Sequence, residues 1–253
     1  MDLGLEASHV LVAGASRGLG FSIVRQLLVE GARVTAIGRE RESLDVAQEQ
    51  WMAHAPKGSV SCLDLDLSDV ESVQPLAAHL ANEGVLDGVV VVAGNGRPSI
   101  ESPSAAFRHA TARNVTPALV ALEAAVPLLR RTPSGAVVLI SSIAGIEYID
   151  CPPEYSAAKS ALHAYASHWS RKFKPVRVNV VAPGNMLTEG SVWERRMRED
   201  AAALDAYLSR EVTLGRVAHP DEVARVAVFL VSRASSFMTG TTVVVDGGQV
   251  RQW

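Results

Sequence analysis

Short runs rich in valine and isoleucine alternate along this chain with longer segments whose apolar residues recur at helical spacing. Several of the short runs are continuously apolar rather than alternating, which is typical of parallel strands buried on both faces. The regular alternation of strand and helix predicts an α/β fold of the Rossmann type, a doubly wound parallel sheet with right-handed crossovers. The seven predicted strands cover residues 9–13, 33–37, 60–64, 88–92, 136–140, 177–181 and 242–245.

The chain shows no linker, internal repeat or low-complexity stretch, so residues 1–253 are expected to form a single domain. The alternation of strands and helices is interrupted at residues 185–216, which form a long charged insertion between the sixth and seventh predicted strands. Within it, an apolar series at helical spacing predicts a helical lid, and its members are Trp193, Met197, Ala201, Leu204 and Leu208. That series could line an apolar substrate pocket, or it could pack on the sheet.

Composition and charge narrow the functional classes. The 253 residues are 48% hydrophobic and 20% charged, an ordinary balance for a globular protein. A formal net charge of -3 offers no basic excess for nucleic acid, and no apolar run approaches the roughly 18 residues of a membrane span. The first residues lack the pattern of a secretory signal, and Cys62 and Cys151 form no metal-binding pair. We therefore expect a cytoplasmic protein without a metal site and without membrane or nucleic-acid partners.

A glycine-rich turn follows the first strand and opens the first predicted helix. Glycine permits a tight turn and lets a pyrophosphate approach the backbone, and the helix N-terminus supplies free N–H groups. The spacing is GxxxGxG. A glycine triplet alone is often only a turn, but its placement between a strand and a helix favours nucleotide binding. The candidate contacts in this turn are Gly14, Ser16, Arg17, Gly18, Leu19 and Gly20.

The end of the second strand bears on the choice between NAD and NADP. An acidic residue there would bind the ribose hydroxyls of NAD, but this chain has none at that position. Arg39, with Arg17, could bind a 2′-phosphate through charge-assisted hydrogen bonds, which predicts NADP(H). Arg39 could instead begin a solvated helix. After the third strand, Asp66 and Leu67 are candidate adenine contacts, although Asp66 could equally cap the helix expected near Asp69.

Tyr155 and Lys159 lie four residues apart at the start of the helix predicted after the fifth strand, so their side chains share one face. A free tyrosine, with a pKa of about 10, is a weak acid–base catalyst at neutral pH. A neighbouring lysine cation and an oxidised nicotinamide would stabilise the phenolate and lower that pKa. Ser142 ends the fifth strand, where its hydroxyl could hydrogen-bond a substrate oxygen as charge develops. These three residues predict a catalytic site.

Residues 9–248 resemble the main short subtype of the short-chain dehydrogenase/reductase family, and 3-oxoacyl-carrier-protein reductases within it. Besides the glycine turn, Ser142, Tyr155 and Lys159, the matching features are Asn114, Pro183-Gly184 with Thr188, and the closing Val245-Asp246-Gly247-Gly248. The resemblance implies that Tyr155 is the general acid in reduction and that Ser142 polarises the carbonyl. It implies that Lys159 binds the nicotinamide ribose and tunes Tyr155. It also implies that Asn114 holds a water of a proton relay and that Thr188 contacts the carboxamide of the cofactor.

The same resemblance implies a seven-stranded parallel sheet in the order 3-2-1-4-5-6-7 and a homo-oligomer, either a tetramer or a dimer. One motif departs from the family, which usually has Asn-Asn-Ala-Gly after the fourth strand where this chain has Val91-Val92-Ala93-Gly94. Ala93 and Gly94 preserve the close approach to the adenosine ribose. The missing asparagine removes hydrogen bonds between neighbouring strands, and Asn95 is the nearby residue that could substitute.

We therefore expect an NADP(H)-dependent oxidoreductase that transfers a hydride between nicotinamide and a carbonyl or secondary alcohol, and specifically a carbonyl reductase. The alternatives are an alcohol, sugar or steroid dehydrogenase working oxidatively, and a nucleotide-sensing protein that lost turnover. The complete catalytic set argues against the last. Six residues near the predicted site are interpreted as ordinary packing or solvent-facing residues: Cys151, His163, His168, Arg195, Arg196 and Arg198. A lid arginine turned inward would instead indicate a carboxylate or phosphate on the substrate.

Overall fold

The computed structural model describes residues 2–54, 59–92, 94–96 and 102–251. Its strands are β1 (His9–Ala13), β2 (Arg33–Gly38), β3 (Ser59–Asp64), β4 (Gly88–Val91), β5 (Ala136–Ile140), β6 (Arg177–Pro183) and β7 (Thr242–Val245). Its α-helices are α1 (Gly18–Val29), α2 (Arg41–His54), α3 (Val73–Glu83), α4 (Pro103–Asn114), α5 (Thr116–Leu129), α6 (Pro153–Lys172), α7 (Val192–Glu199), α8 (Ala201–Glu211) and α9 (Pro220–Val231).

The seven described strands form one parallel sheet in the order β3-β2-β1-β4-β5-β6-β7, which confirms the predicted fold class and strand order. The strands differ from their predicted bounds only at their ends. β2 and β6 continue to Gly38 and Pro183, because these residues still pair in register with Asp64 and Val245. β3 begins one residue before its predicted start, and β4 ends one residue before its predicted end, at Val91.

The middle of the sheet is covered on both faces, which explains the continuously apolar strands. In β1, Val10 and Val12 pack in one hydrophobic cluster with side chains of α1, α2 and α9. Leu11 and Ala13 pack in a second cluster with side chains of α3, α5 and α6. Full burial of such a side chain contributes about 1.5–3 kcal/mol, so neither face of the strand tolerates polar residues well.

The insertion before β7 forms two helices rather than one. Asp200 separates α7 from α8 and caps α8 by accepting a hydrogen bond from the N–H of Ala203 at 2.9 Å. Leu204, Leu208 and Val212 form a small cluster of their own, against which Trp193, Tyr207 and Val217 pack. The apolar series therefore builds a local core of the insertion, and its predicted member Met197 is 41% exposed.

The three arginines of α7 lie on its exposed side, as predicted. Arg195 and Arg198 form ion pairs within the helix, with Glu199 and Glu194. The guanidinium carbon of Arg196 lies 4.9 Å from the centroid of the Trp193 ring. Such exposed pairs contribute little to stability, so these residues mainly keep the outer face of the insertion solvated.

Across the described ranges, no helix combines the length and the apolar character that a membrane crossing needs. The same residues contain no group of three or more histidine, cysteine, aspartate or glutamate side chains that could hold a metal ion.

Candidate active site

The strand order reverses between β1 and β4, so the connections leave these strands in opposite directions. In open α/β sheets such a reversal opens a crevice beyond the carboxyl ends of the strands, and ligands bind there. The predicted site residues follow the ends of the first six strands, β1 to β6, at this edge, or lie at the end of α4 and the start of α6. The fold therefore brings to one edge of the sheet residues that are far apart in sequence.

The glycine turn between β1 and α1 depends on its glycines. Gly14 and Gly18 have φ angles of 79° and 56°, in the left-handed region that favours glycine. A Cβ on Gly20 would overlap the carbonyl oxygen of Gly14, so the turn closes only with glycine there. Arg17 occupies the N-cap of α1 without a side-chain hydrogen bond to the first turn, which leaves N–H groups for an anion. A Cβ on Gly18 would lie 3.4 Å from Cγ2 of Thr188, which places Thr188 beside the turn.

Two arginines lie where the adenosine half of the cofactor is predicted to bind, and their side chains are available for a ligand. Arg17 and Arg39 are both exposed, and neither side chain makes a hydrogen bond or an ion pair with any residue of the described ranges. Arg41, by contrast, is paired with Asp45 at 2.9 Å and with Asp64 at 3.7 Å. Arg39 lies two residues before the first residue of α2 and is exposed, as both the phosphate-binding interpretation and the solvated-helix alternative predict.

The remaining candidates near this end differ in exposure. Ser16 is half-buried. Leu19 and Leu67 are buried in the clusters on opposite faces of the sheet, so their main chains rather than their side chains are left to face a ligand. Ala93 lies outside the described residues.

Asp66 is exposed and stabilises the loop after β3. Its carboxylate accepts hydrogen bonds from the N–H and the hydroxyl of Ser68, at 2.9 Å and 2.8 Å. The helix-cap alternative for Asp66 is wrong, because Asp69 caps the following 3₁₀ turn by accepting from the N–H of Glu71. Contact with adenine stays a prediction.

Tyr155 and Lys159 occupy the start of α6, as predicted. Pro153 and Glu154 open this helix, and proline and an acid are both favourable in a first turn. The Lys159 ammonium is buried, donates to the carbonyl of Ile140 at 3.1 Å and lies 5.8 Å from the centroid of the Tyr155 ring. Burial lowers the pKa of Lys159 to about 8, so the group is mostly charged at pH 7.

Burial also raises the pKa of the Tyr155 phenol, while a hydrogen bond with the Ser142 side chain lowers it in part. Desolvation of the phenolate is the largest contribution in this structure, and the lowering of this pKa by Lys159 together with an oxidised nicotinamide stays a prediction. Ser142 follows β5, and its hydroxyl oxygen also accepts from the N–H of Ala144 at 3.1 Å. The two oxygens of Ser142 and Tyr155 therefore lie together, as a site that polarises one substrate oxygen needs.

Asn114 ends α4 and is buried behind Lys159. Its Nδ2 donates to the carbonyls of Ala110 at 2.9 Å and Asn95 at 3.3 Å, and its Oδ1 has no hydrogen-bond partner among the described residues. Gly94 has a φ of 123°, and a Cβ there would overlap Oδ1 of Asn114 and lie 3.2 Å from Nζ of Lys159. The structure therefore brings these predicted residues together around a gap that only glycine leaves open.

The valines that replace the usual asparagines leave the strand pairing of β4 intact. Val91 pairs with Ala13 of β1 and Leu139 of β5, and it packs in the second core cluster. The N–H of Val92 donates to the carbonyl of Ala13 at 2.9 Å. Main-chain bonds therefore hold the strands where the family pattern has asparagine side chains, and the carbonyl of Asn95 accepts a hydrogen bond from Asn114.

The Pro183-Gly184 motif is held by the closing motif after β7. The N–H of Gly184 donates to the carbonyl of Val245 at 3.0 Å, and a Cβ on Gly184 would lie 2.8 Å from Cα of Asp246. The Asp246 carboxylate in turn accepts from the N–H groups of Gly248 and Val250. This packing fixes the start of the loop that carries Thr188.

Sequence reasoning missed one buried polar contact beside the site. Nε2 of His163 lies 2.8 Å from Oγ of Ser141, and its Nδ1 lies 2.9 Å from Oγ1 of Thr242. The available signal was the spacing, since His163 is four residues after Lys159 on the same helix face. His168 is exposed, as predicted. Burial raises the pKa of the Cys151 thiol, which agrees with its interpretation as an unreactive residue.

Comparison with known proteins agrees with this geometry. The Enoyl-(Acyl carrier protein) reductase family model matches residues 14–249. Galactitol 2-dehydrogenase (L-tagatose-forming) from Cereibacter sphaeroides is 31% identical over 252 residues, which are 96% of this chain and 95% of that protein.

Two solved structures extend the likeness to three dimensions. A short chain dehydrogenase/reductase family oxidoreductase from Burkholderia thailandensis is 33% identical with a TM-score of 0.85, over 96% of this chain and 92% of that one. The RhlG/NADP active-site complex from Pseudomonas aeruginosa is 29% identical with a TM-score of 0.87, over 98% of each chain. The chain belongs to the short-chain dehydrogenase/reductase family and is an oxidoreductase of alcohol or carbonyl groups.

Proposed function

We propose that the protein is an NADP(H)-dependent carbonyl reductase. The observation that carries the proposal is the meeting of Ser142, Tyr155 and Lys159 at the carboxyl edge of β5, beside a glycine turn suited to a dinucleotide. When bound, the nicotinamide supplies or accepts the hydride. The protein supplies binding, orientation and the proton.

The residues fit a dinucleotide in two respects. Gly20 lets the turn pack tightly enough to present its backbone to a pyrophosphate, and Gly94 leaves a gap faced by Oδ1 of Asn114, which has no hydrogen-bond partner among the described residues. The residues that would hold the cofactor are Gly14, Ser16, Arg17, Gly18, Leu19, Gly20, Arg39, Asp66, Leu67, Ala93, Gly94, Tyr155, Lys159, Pro183, Gly184 and Thr188. Among them, the exposed and unpaired Arg17 and Arg39 favour a 2′-phosphate and hence NADP(H).

The proton chemistry follows from the state of each side chain. Burial keeps the Tyr155 phenol protonated at neutral pH, so it can donate a proton to a carbonyl oxygen that becomes an alkoxide. Ser142 lies beside that hydroxyl and can donate a second hydrogen bond to the same oxygen. Lys159 stays charged below about pH 8 and can bind ribose hydroxyls from its buried position. Asn114 would hold a water that connects Lys159 to solvent.

A sugar or alcohol dehydrogenase is the second candidate, and the likeness to galactitol 2-dehydrogenase favours it. The reductase description of the matching family model and the two free arginines favour reduction. We would screen carbonyl compounds with NADPH and NADH, and polyols and secondary alcohols with NADP+ and NAD+, following absorbance of the reduced nicotinamide. Faster turnover of alcohols with NAD+ than of any carbonyl compound with NADPH would reject the proposal in favour of the second candidate.

We further propose that residues 1–253 act as one domain and that residues 185–216, with α7 and α8, form a lid over the substrate. The insertion has its own small core and joins the sheet through the Thr188 segment beside the glycine turn. Cofactor binding should therefore protect α7 and α8 from hydrogen exchange. Unchanged exchange there would reject the lid.

A homo-oligomer and a cytoplasmic location complete the proposal. The edge strand β7 exposes Val244, and the neighbouring Phe237 is fully exposed, so a dimer or tetramer would cover apolar surface. Both Cys62 and Cys151 are free, which suits a reducing compartment. Light scattering of the purified protein measures the oligomeric state. A monomer at micromolar concentration would contradict the proposed homo-oligomer.

A further inference from the structure

A polar residue without a role in the proposed chemistry lies directly behind the catalytic residues. His163 follows Lys159 by one turn of α6 and is half-buried. Its ring contacts the hydroxyls of Ser141 at 2.8 Å and Thr242 at 2.9 Å. One imidazole therefore joins the end of β5, the catalytic helix and β7.

The directions of these hydrogen bonds follow from the donor count. The Ser141 hydroxyl donates to the carbonyl of Lys159 at 2.9 Å, and a hydroxyl has a single hydrogen. Oγ of Ser141 must therefore accept from His163, which puts the ring proton on Nε2. In the neutral ring, Nδ1 is then left to accept from the hydroxyl of Thr242. Of the two neutral tautomers, only the Nε2-protonated one satisfies both contacts.

The surroundings of His163 favour that neutral form. Burial and the charge of Lys159 both lower its pKa from the ordinary value of 6.5. The groups that face the ring are the hydroxyls of Ser141 and Thr242 and the backbone of Gly145, where a Cβ would lie 2.9 Å from Nε2. Lys159 is the charged group that acts on it. The ring is therefore a neutral connector at pH 7.

We propose that His163 is a positioning residue: it holds the Ser141 hydroxyl on the Lys159 carbonyl and so fixes Ser142 and Lys159 relative to each other. Ser142 is the next residue after Ser141, and the Lys159 ammonium bonds the carbonyl of Ile140 at 3.1 Å. The segment 140–142 is thus tied to Lys159 through both its backbone and its side chain. The inference rests on the catalytic roles proposed above for Ser142 and Lys159.

The test is a double-mutant cycle on the carbonyl substrate found in the screen. His163→Leu and Ser141→Ala should each lower kcat by about tenfold, the worth of one buried hydrogen bond. The double variant should lose no more than Ser141→Ala alone, because His163 acts only through the Ser141 hydroxyl that this change removes. His163→Gln can still donate to Ser141 and should recover most of kcat. His168→Leu changes an exposed histidine of the same helix and should leave kcat unchanged.

A His163→Leu enzyme with a lower Tm but normal kcat would make the residue merely structural and overturn the proposal. If the fold-losses in kcat of the two single variants multiply in the double variant, the two residues act independently, and the proposal is also overturned. A readout that needs no turnover is the ring tautomer of His163 from nitrogen NMR at pH 7. A proton on Nδ1, or on both nitrogens, contradicts the assignment.

Failure of the proposed function is distinguishable from failure of this inference. If the wild-type protein turns over no carbonyl compound, the function fails, and the pKa of the Lys159 ammonium measured by NMR still decides the inference. His163→Leu should shift that pKa, because Lys159 is no longer held in a fixed position relative to the segment 140–142. His168→Leu should not change it. An unchanged Lys159 pKa in His163→Leu overturns the positioning role.

Discussion

Removing Arg39 should reduce the use of NADPH and leave the use of NADH nearly unchanged. A hydrogen bond to a charged group contributes about 1.5–3 kcal/mol, which corresponds to roughly ten- to a hundredfold in affinity. Arg39 is exposed, and solvent screens its charge. We therefore expect Arg39→Ala to lower the affinity for NADPH by about tenfold, the lower end of that range. Arg17 would retain part of the attraction to the phosphate.

The assay compares kcat/KM for NADPH and NADH in the wild type, Arg39→Ala, Arg39→Asp and the control Arg41→Ala. Arg41 is two residues further along and already paired with Asp45 and Asp64, so its loss should affect both cofactors little. Arg39→Asp adds a carboxylate that repels the phosphate, and it should turn the preference toward NADH. An aspartate at Gly38 would be a poorer test, because its Cβ would press on the Leu44 side chain at 3.1 Å.

Two results would refute this reasoning. The first is a wild type that prefers NADH, which would make Arg39 an ordinary solvated residue. The second is an equal loss of NADPH use in Arg39→Ala and Arg41→Ala, which would indicate a diffuse effect of charge rather than a phosphate contact.

Two other variants test the cofactor cradle and the buried lysine. Gly20→Ala should abolish tight binding of NADPH and lower Tm, because its Cβ would overlap the backbone oxygen of Gly14; normal affinity by fluorescence titration would contradict the geometry. Lys159→Met should weaken NADPH binding and move the pH optimum of alcohol oxidation upward, because the phenolate loses its nearby cation. An unchanged pH profile with normal affinity would remove both roles of Lys159. In wild type, the unfolded chain holds the Lys159 proton between about pH 8 and 10.5 while the folded chain has lost it, so its contribution to the free energy of unfolding rises through that window by up to about 3 kcal/mol. Denaturant titrations of Lys159→Met should lack this rise.

Much of the fold was predictable because burial on both faces imposes a strong pattern. Val10 to Ala13 are continuously apolar since alternate residues enter opposite clusters, and the glycine turn marks the switch from strand to helix. The catalytic residues were predictable because Tyr155 and Lys159 must share a helix face, and Ser142 must end a strand at the same edge. The spacing of residues along the chain is enough to specify a shared helix face or the end of a strand.

Other features depend on packing, which spacing does not show. The break at Asp200 and the local core of the insertion arise from contacts between α7 and α8. The degree of burial that raises the pKa of Tyr155 likewise arises from tertiary packing. The contact of His163 with Thr242 joins positions 79 residues apart, and nothing in either neighbourhood indicates the other.

The measurement that tests the central claim most directly is the reduction of a carbonyl substrate by Tyr155→Phe, with NADPH binding measured in parallel. The change keeps the ring and removes the hydroxyl that donates the proton. General acid catalysis contributes roughly 10²–10⁴-fold, so kcat should fall at least a hundredfold while the Kd for NADPH stays within a few-fold of wild type. A variant that keeps most of its turnover would show that another group donates the proton, and it would contradict the proposed active site.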